Sequence, residues 1–216
     1  MDKQSVFSRV DHTILKATAV WPDIEKLCRE ALTYGMATVC IPPSFVKQAK
    51  DSFPDLKVCT VIGFPLGYNT REVKVLEARQ ALQDGADEID MVINQGQVKA
   101  GDYSAVTQEI RALKAEAADR VLKVIVETCY LDQDEKIALC GCVAAGGADF
   151  IKTSTGFGSG GADAQDIALF RQNLPPRVRI KASGGIRTAE AMETMIQAGA
   201  DRIGASAAIT AYEGRD

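Results

Sequence analysis

One phrase occurs four times along this chain, and it constrains the fold more than any other feature of the sequence. The copies are Gly35-Met-Ala-Thr-Val-Cys40, Gly85-Ala-Asp-Glu-Ile-Asp90, Gly147-Ala-Asp-Phe-Ile-Lys152 and Gly199-Ala-Asp-Arg-Ile-Gly204. Glycine suits the left-handed position that follows the end of a helix, and the β-branched residue near the end of each phrase suits a buried strand. Each copy therefore predicts a point where a helix ends and a strand begins.

The segments that precede these glycines have the apolar periodicity of helices. Apolar residues recur mostly three or four positions apart, as they do on the buried face of an amphipathic helix. These residues are Ile24, Leu27 and Ala31; Val75, Ala78 and Leu82; Ile137, Cys140 and Ala144; and Met192, Met195 and Ile196. A further helix is predicted over 104–117, and a short helix is expected at the N-terminus.

Eight strands are predicted between and around these helices. They lie near 9–14, 37–41, 57–62, 88–93, 122–127, 149–152, 179–182 and 202–204. Strands that alternate with helices imply a parallel sheet with short connections. Eight such units in 216 residues predict an α/β fold, a single (β/α)8 TIM barrel that forms one domain over 1–216. A doubly wound open sheet is the alternative, although it usually has fewer strands.

Composition narrows the classes of function and location. The formal net charge is −4 and the basic residues are scattered, which argues against nucleic acid as a partner. No stretch approaches the ~18 apolar residues of a membrane span, and 1–5 lacks the apolar core of a signal peptide. We therefore expect a soluble, cytosolic protein without a membrane partner. The six cysteines match no zinc pattern and His12 is the single histidine, so we expect reduced thiols and no metal.

Two lysines stand in matching positions, each at the end of an apolar run and beside a glycine-rich turn. They are Lys152, in Ala148-Asp-Phe-Ile-Lys152-Thr-Ser-Thr-Gly156, and Lys181, in Arg177-Val-Arg-Ile-Lys181-Ala-Ser-Gly-Gly185. Most lysines lie on protein surfaces, but burial disfavours the charged form of an ammonium group, and a second ammonium nearby acts in the same direction. A lysine that is neutral near pH 7 is a nucleophile toward carbonyl carbons and can form a Schiff base.

Polar residues gather at the carboxyl ends of the predicted strands, which converge on one mouth of a barrel, where active sites are found. They are Asp11, Cys40, Gly63, Asp90, Asn94, Glu127, Lys152, Lys181 and Ser206. Alternation puts Glu88 and Asp90 on one face of their strand. A buried carboxylate needs partners, so Asp90 is either an ion-pair partner of Lys123, Lys152 or Lys181, or a member of a proton relay, or both. His12 faces away from Asp11, which favours a structural role for the histidine.

Two glycine-containing loops predict a phosphate site. Ser183-Gly184-Gly185 precedes a helix that starts near Thr188, and Gly204-Ala-Ser206 follows the last strand. Glycine lets backbone N–H groups approach an anion, and a helix N-terminus adds a favourable dipole. Barrel enzymes often bind phosphate with the loops after strands seven and eight, which are these two. Either loop alone is more often a simple turn, as Gly63-Phe-Pro-Leu-Gly67 is expected to be.

Taken together, these motifs resemble those of class I deoxyribose-phosphate aldolase, over nearly the whole chain from Asp11 to Ser206. The matching motifs are Asp11-His-Thr-Ile-Leu-Lys16, Val39-Cys-Ile-Pro42, Gly63-Phe-Pro-Leu-Gly67, Asp87-Glu-Ile-Asp-Met-Val-Ile-Asn94, Phe150-Ile-Lys-Thr-Ser-Thr-Gly-Phe157 and Lys181-Ala-Ser-Gly-Gly-Ile-Arg187. The resemblance implies a barrel fold and reversible cleavage of 2-deoxy-D-ribose 5-phosphate to D-glyceraldehyde 3-phosphate and acetaldehyde, in deoxyribonucleotide catabolism. It also implies a homo-oligomer, a dimer or a tetramer, and no cofactor.

Residue by residue, the resemblance implies a catalytic set and a binding set. Lys152 matches the Schiff-base lysine, Lys181 the second lysine, and Asp90 the acid–base partner that acts through a water. The positions that match substrate or phosphate contacts are Asp11, Cys40, Thr155, Gly184, Gly185, Gly204 and Ser206. Some family members carry a longer tail whose final tyrosine assists proton transfer, whereas this chain ends Ala211-Tyr-Glu-Gly-Arg-Asp216. The resemblance therefore assigns no such role to Tyr212.

Two other functions are compatible with the residues. One is another Schiff-base or phosphate-binding barrel enzyme, such as a transaldolase-like or ketose-phosphate aldolase. Such an enzyme needs a hydroxylated donor, whereas a deoxyribose-phosphate aldolase uses acetaldehyde. The other is a non-catalytic sugar-phosphate sensor that keeps the barrel and the phosphate loops. A sensor has little use for two buried lysines.

Overall fold

The computed structural model describes residues 1–213, which form a closed barrel of eight parallel strands. The strands are β1 (Val10–Thr13), β2 (Thr38–Ile41), β3 (Val58–Ile62), β4 (Glu88–Val92), β5 (Val121–Ile125), β6 (Phe150–Lys152), β7 (Arg179–Ser183) and β8 (Arg202–Ala205). Each strand pairs with the next along the chain, and β8 pairs with β1. The predicted (β/α)8 barrel is confirmed, and the open sheet is excluded because the sheet has no edge strand.

Helices alternate with the strands around the barrel. They are α1 (Lys3–Phe7), α2 (Trp21–Tyr34), α3 (Val46–Ser52), α4 (Arg71–Gln83), α5 (Gln95–Lys99), α6 (Tyr103–Ala117), α7 (Gln133–Gly146), α8 (Ala164–Asn173), α9 (Ala189–Gln197) and α10 (Ala208–Tyr212). The expected short N-terminal helix is α1. Among residues 1–213, none of the helices combines the length and apolar character that crossing a membrane requires.

The prediction for the fifth strand is wrong at its end, because β5 stops at Ile125 and not at 127. Glu127 has a left-handed backbone, with φ of 52°, and leads into a short 3₁₀ turn over Thr128–Tyr130. A non-glycine residue rarely adopts this conformation. The turn directs the Glu127 carboxylate toward the loop that follows β6.

The aspartate of the repeated phrase has a structural role, as its glycine does. Gly35, Gly85, Gly147 and Gly199 all have positive φ, as predicted. In three copies the aspartate accepts a backbone N–H of the preceding strand and pairs with a basic side chain of the helix before that strand. The partners are Val58 N and Lys50 for Asp87, Leu122 N and Lys114 for Asp149, and Ile180 N and Arg171 for Asp201. The aspartates thus join β3 to β4, β5 to β6 and β7 to β8 at their amino ends.

The inward side chains follow from the pairing register. Paired residues on adjacent parallel strands face the same side, and because barrel strands are tilted, each successive partner lies deeper. Four such diagonals descend from the mouth: Cys40–Cys59–Glu88, Asp90–Lys123–Phe150, Lys152–Lys181–Arg202 and Gly204–Asp11–Thr38. They form three layers of four side chains from alternate strands, as expected for this fold.

The content of these layers is unusual, since branched apolar side chains dominate most barrel interiors. Here most inward positions hold ionisable groups, while the main apolar core lies between the strands and the helices. It contains the outward-facing residues of the strands, for example Val10, Ile151 and Ile203. Apolar packing outside the barrel therefore leaves the interior free to hold charge.

Asp149→Ala is expected to destabilise the fold by about 1–3 kcal/mol, because it removes a charged acceptor and leaves Leu122 N–H without one. Asp149→Asn keeps an acceptor and loses only the contact with Lys114, so its cost should be smaller. Urea unfolding measures both, with Asp119→Asn, at an exposed position, as the control. Equal stability of Asp149→Ala and the unmodified protein would contradict the role assigned to the repeat.

Candidate active site

A cavity of about 490 Å³ opens at the carboxyl ends of the strands. Loops that follow β1, β6, β7 and β8 form its walls. Six of the residues predicted for the site line it: Lys152, Thr155, Gly184, Gly185, Gly204 and Ser206. The side chains of Phe157 and Arg187 also face it. The cavity therefore lies at the mouth where the sequence places the chemistry.

Lys152 reaches the cavity from below. It ends β6 with its side chain inward, and its side chain is only 3% exposed. Its Nζ lies 2.8 Å from Oδ2 of Asp90. The amine thus contacts a buried carboxylate, and Lys152 also lines the cavity. A nucleophilic lysine needs this access to the space where a substrate binds.

Asp90 is fully buried and accepts from three lysines and a thiol. Its Oδ2 accepts from Lys152 and Lys181 at 2.8 Å each, and its Oδ1 accepts from Lys123 at 2.8 Å and from the Cys59 thiol at 3.1 Å. Burial alone raises the pKa of Asp90, but the surrounding ammonium groups outweigh it and hold the pKa well below its usual range. The carboxylate is therefore ionised. Of the two roles predicted for it, the ion pair is formed with all three candidate lysines.

Lys181 lies one layer deeper and does not line the cavity. Its Nζ contacts carboxylate oxygens of Asp11 and Asp90. Burial lowers the pKa of Lys181, but the two carboxylates outweigh burial and raise the pKa above its usual value. The expected lowering of the pKa of a buried ammonium therefore does not hold for Lys181, because its two carboxylate partners favour the charged form.

Asp11 and Cys40, which are predicted as substrate contacts, lie beneath the cavity and do not line it. Asp11 is completely buried and accepts from Thr38 at 2.8 Å, from Arg202 at 2.6 Å and from Lys181. Cys40 is buried against Cys59, its partner in the register of β2 and β3, in a small apolar cluster. Asp11 therefore contacts Lys181 and not the cavity itself.

Thr155 is held in place by Glu127, one of the polar residues predicted at the mouth but absent from the predicted catalytic and binding sets. The carboxylate of Glu127 accepts from the Thr155 backbone N–H at 3.2 Å and from the Thr155 hydroxyl. The same hydroxyl oxygen accepts from Phe157 N at 3.0 Å. These contacts join the loop after β6 to the residue that follows β5 by two positions.

The glycine loop after β7 has the backbone that an anion site requires. Gly184 and Gly185 have φ of 87° and 75°, in the left-handed region that favours glycine. A Cβ on Gly184 would approach Gly161 Cα and Ser154 Cβ to 3.2 Å, so a larger residue does not fit there. Arg187 adds a cationic side chain at the rim of the cavity.

Four further residues of the buried network are missing from the predicted catalytic and binding sets: Cys59, Glu88, Lys123 and Arg202. Lys123 bonds to Glu88 at 2.6 Å and to Asp90, and Arg202 joins Glu88 to Asp11. The signal for Glu88 and Arg202 is the two-residue period of a strand, since they precede Asp90 and Gly204 by two positions.

The same network accounts for two groups of potential metal ligands. Within residues 1–213, Cys40, Cys59 and Asp90 lie close enough to share an ion, and so do Asp11, Cys59 and Glu88. The ammonium of Lys123 contacts Cys59, Glu88 and Asp90 directly, so a lysine charge already occupies the space between these ligands.

His12 and Tyr212 lie outside the site. His12 Nε2 is 2.9 Å from Glu30 on α2, on the opposite face of β1 from Asp11, in agreement with the predicted structural role. The Tyr212 hydroxyl is 3.1 Å from Glu193, and its ring packs edge-on against Phe7 of α1 at the amino end of the barrel. The tail beyond Glu213 lies outside the described residues.

Comparison with known proteins gives one consistent family. The model of the DeoC/LacD family of aldolases matches residues 5–215. A deoxyribose-phosphate aldolase of Clostridium botulinum (strain Alaska E43 / Type E3) is 49% identical over 217 residues, 100% of this chain and 98% of the relative. One of Clostridioides difficile (strain 630) is 52% identical over 202 residues, 93% and 92% of the two chains. The tetrameric structure of deoxyribose phosphate aldolase from Aeropyrum pernix has a TM-score of 0.89 at 32% identity, covering 99% and 92%.

The buried carboxylates should make stability fall in acid. Burial raises the pKa of Asp11, but Lys181, Lys123 and Arg202 outweigh it, so the pKa lies below the unfolded value of about 3.9. Ionised Asp11 therefore stabilises the fold above about pH 4, and this contribution is lost as the pH falls further. In urea unfolding, we expect the stability difference between the unmodified protein and Asp11→Asn to shrink as the pH falls from about 4 to about 2. A constant difference would contradict this.

Gly204 packs closely against Ser183 and Lys181, and adding a side chain there should impair the site. A Cβ there would lie 2.9 Å from Ser183 Cβ and 3.1 Å from Lys181 Cε, so Gly204→Ala must displace one of them. We expect a loss of about 1–3 kcal/mol in stability and lower kcat/KM. Gly141→Ala in α7 is the control, since nothing lies within 4 Å of that Cβ and alanine favours the helix. Normal activity of Gly204→Ala would show that the site tolerates this displacement.

Proposed function

We propose that this chain, which belongs to the DeoC/LacD family of aldolases, cleaves 2-deoxy-D-ribose 5-phosphate reversibly to D-glyceraldehyde 3-phosphate and acetaldehyde through a Schiff base on Lys152. One observation carries the proposal. Of the lysines in the buried network, Lys152 lines the cavity, while Lys123 and Lys181 are sealed beneath it. Family membership makes the protein an aldehyde-lyase, and the position of Lys152 supports the choice of nucleophile.

The first step is attack of neutral Lys152 on the aldehyde carbon, C1, of the open-chain sugar. A bond forms between Nζ and C1, the carbonyl oxygen takes up protons and leaves as water, and an iminium remains. Asp90 accepts an N–H of Lys152, which orients the amine during attack, and the same carboxylate then pairs with the positively charged iminium. Covalent catalysis of this kind divides one difficult step into easier ones.

The iminium is the electron sink for carbon–carbon cleavage. The C3 hydroxyl loses its proton, the C2–C3 electron pair moves to form the enamine, and D-glyceraldehyde 3-phosphate leaves. Protonation of the enamine at C2 restores an iminium, whose hydrolysis releases acetaldehyde and regenerates the amine. Because the sink is built from the substrate and Lys152, the route needs no metal or organic cofactor.

Asp90 and Lys181 manage the protons in this scheme. Neither lines the cavity, so a water between them and the substrate carries the proton from the C3 hydroxyl and returns one to C2. General acid–base assistance of this kind contributes about 10² to 10⁴-fold in rate. The positive charge of Lys181 also stabilises ionised Asp90 beside the iminium.

The phosphate is assigned to the wall of the cavity that the loops after β7 and β8 form. Gly184 and Gly185 present their backbone there, close to the start of α9, while Gly204 and Ser206 follow β8. Helix N-termini and glycine backbone favour anions. This places C1 of the sugar near Lys152, with the phosphorylated end at the rim beside Arg187.

We also propose a role in deoxyribonucleotide catabolism in the cytosol and a homodimer or homotetramer as the working form. The relative from Aeropyrum pernix is tetrameric. In this chain Val73 and Leu76 are exposed apolar residues on α4, which fits burial against another copy. Light scattering of the purified protein tests the oligomer, and a monomer would refute it.

Acetaldehyde as the donor separates this function from the two rivals. A transaldolase-like or ketose-phosphate aldolase needs a hydroxylated donor, and a sugar-phosphate sensor shows no turnover. We expect acetaldehyde release from 2-deoxy-D-ribose 5-phosphate in a coupled assay. Binding of the sugar phosphate without release would favour the sensor.

Borohydride reduction in the presence of acetaldehyde should leave an N-ethyl group on Lys152, because the imine is trapped before hydrolysis. Peptide mapping by mass spectrometry identifies the modified residue. Lys152→Met should lose both trapping and turnover, while Lys47→Met, at an exposed position, should retain both. Labelling of a different lysine in the unmodified protein would overturn the assignment of Lys152.

A further inference from the structure

The charges beneath the cavity balance only when Lys152 is neutral. The described network contains three carboxylates and four cationic side chains, all largely buried: Asp11, Glu88, Asp90, Lys123, Lys152, Lys181 and Arg202. With Lys123, Lys181 and Arg202 charged, their three positive charges equal the three carboxylate charges. A protonated Lys152 is then one positive charge in excess.

The contacts show which cation is in excess. Asp11 pairs with Lys181 and Arg202, and Glu88 pairs with Lys123 and Arg202. Lys152 has Asp90 as its carboxylate partner, and it shares Asp90 with two other lysines. A buried site with low polarity disfavours unbalanced charge. Lys152 shares its carboxylate partner with two other lysines, so it is the cation that loses its proton.

Arg202 cannot lose a proton in place of Lys152. A guanidinium does not deprotonate in proteins. Burial lowers the pKa of Arg202, but Asp11 and Glu88 outweigh burial and raise it further. Arg202 does not line the cavity, and its guanidinium packs on the Phe150 ring with 5.5 Å between Cζ and the ring centre. It therefore cannot touch the substrate.

Arg202 is connected to Lys152 through the register of the barrel. The two residues are the ends of the diagonal that runs through Lys181. Asp11 accepts from Arg202 and from Lys181, and Asp90 accepts from Lys181 and from Lys152. A change of charge at Arg202 is thus passed to Lys152 through two carboxylates and one ammonium.

We propose that Arg202 is a positioning residue whose fixed charge, acting through Asp11, Lys181 and Asp90, keeps Lys152 as the neutral amine. The proposal deepens the proposed function and rests on it, because it explains how the Schiff-base lysine is kept ready to react. Without Arg202 the remaining network has an excess negative charge, and protonation of Lys152 cancels that excess.

Other charged groups also face these two residues, and they belong in the same balance. Lys152 faces Asp90 of β4, Lys181 of β7 and the Cys40 thiol of β2, with Lys123 of β5 behind Asp90. Arg202 faces Asp11 of β1, Glu88 of β4 and the Cys59 thiol of β3. Arg179 of β7 covers the same Phe150 ring from its own position, with Cζ 4.0 Å from the ring centre.

The size of the effect follows from the spacing. Two strand spacings separate the ends of the diagonal, about 10 Å. At an effective dielectric constant of about 20, a unit charge at that distance changes an ionisation equilibrium on the order of tenfold. Arg202→Met should therefore raise the pH of half-maximal Lys152 reactivity by about one unit.

Trace acetylation with acetic anhydride over a range of pH tests this without turnover, because only the neutral amine reacts. The readout is labelling of the Lys152 peptide relative to the exposed Lys47 peptide. For Arg202→Met we expect about tenfold less Lys152 labelling near neutral pH, and Arg202→Lys should recover most of it. Arg179→Met is the matched control, since it removes packing on Phe150 at an exposed position and should leave the profile unchanged.

The double variant Arg202→Met/Glu88→Gln separates charge balance from structure. It removes one positive and one negative charge, so its labelling profile should return toward that of the unmodified protein. A merely structural role for Arg202 predicts a double variant no better than Arg202→Met, and that result would overturn the proposal. So would an unshifted profile for Arg202→Met.

Two further outcomes are informative. If Arg202→Met does not fold, Glu88→Gln alone must shift Lys152 labelling to lower pH, and no shift would overturn the proposal. If the labelling shifts occur as expected while the unmodified protein releases no acetaldehyde, the proposed function fails and the charge balance stands. The pH profile of kcat/KM for Arg202→Met should move together with the labelling profile.

Discussion

The ionised carboxylate of Asp90 is the group on which the site depends. It is fully buried, and three lysine amino groups and a thiol contact its two oxygens. Without it, the lysines would repel one another in a space that excludes water, and removing one partner of a buried ion pair typically costs about 3–5 kcal/mol. The carboxylate can hold all three lysines because the barrel is closed, which brings β4, β5, β6 and β7 around one point. The fold thus creates the contact, and the contact orients the reactive amine.

An ionic barrel interior does not follow from stability alone. Buried ion pairs often contribute no more than apolar residues of the same volume, and most barrels fill these layers with Val, Ile and Leu. This chain places its apolar contacts outside the strands, where Val10, Ile151 and Ile203 pack against the helices. The aspartates of the repeated phrase join neighbouring strands at the amino end. The carboxyl end and the interior are thereby free to hold charges whose arrangement serves reactivity.

The sequence predicts local features well and long-range ones poorly. The glycines of the repeat mark the starts of β2, β4, β6 and β8, and the apolar segments between the helices predict the other four strands. Strand alternation predicts that Asp90 and Lys152 point inward. The state of Lys181 could not be predicted, because its carboxylate partners lie 170 and 91 positions away along the chain. Asp11 and Cys40 were expected at the cavity, but strand tilt places Asp11 a layer below the mouth. The two-residue period places Arg202 on the same face as Gly204, but its contact with Asp11 forms only because β8 pairs with β1.

The depth of a layer, more than the chemistry of the side chains, distinguishes the two lysines. Lys152 and Lys181 are direct partners in the register of β6 and β7, and both precede glycine-containing turns. Because each partner along a diagonal lies deeper than the last, Lys152 stands in the upper layer and Lys181 in the middle layer. Gly204, on the neighbouring strand, contributes no side chain to the upper layer, so the cavity opens there. One lysine therefore meets the substrate, while the other is enclosed by carboxylates and supplies a fixed charge.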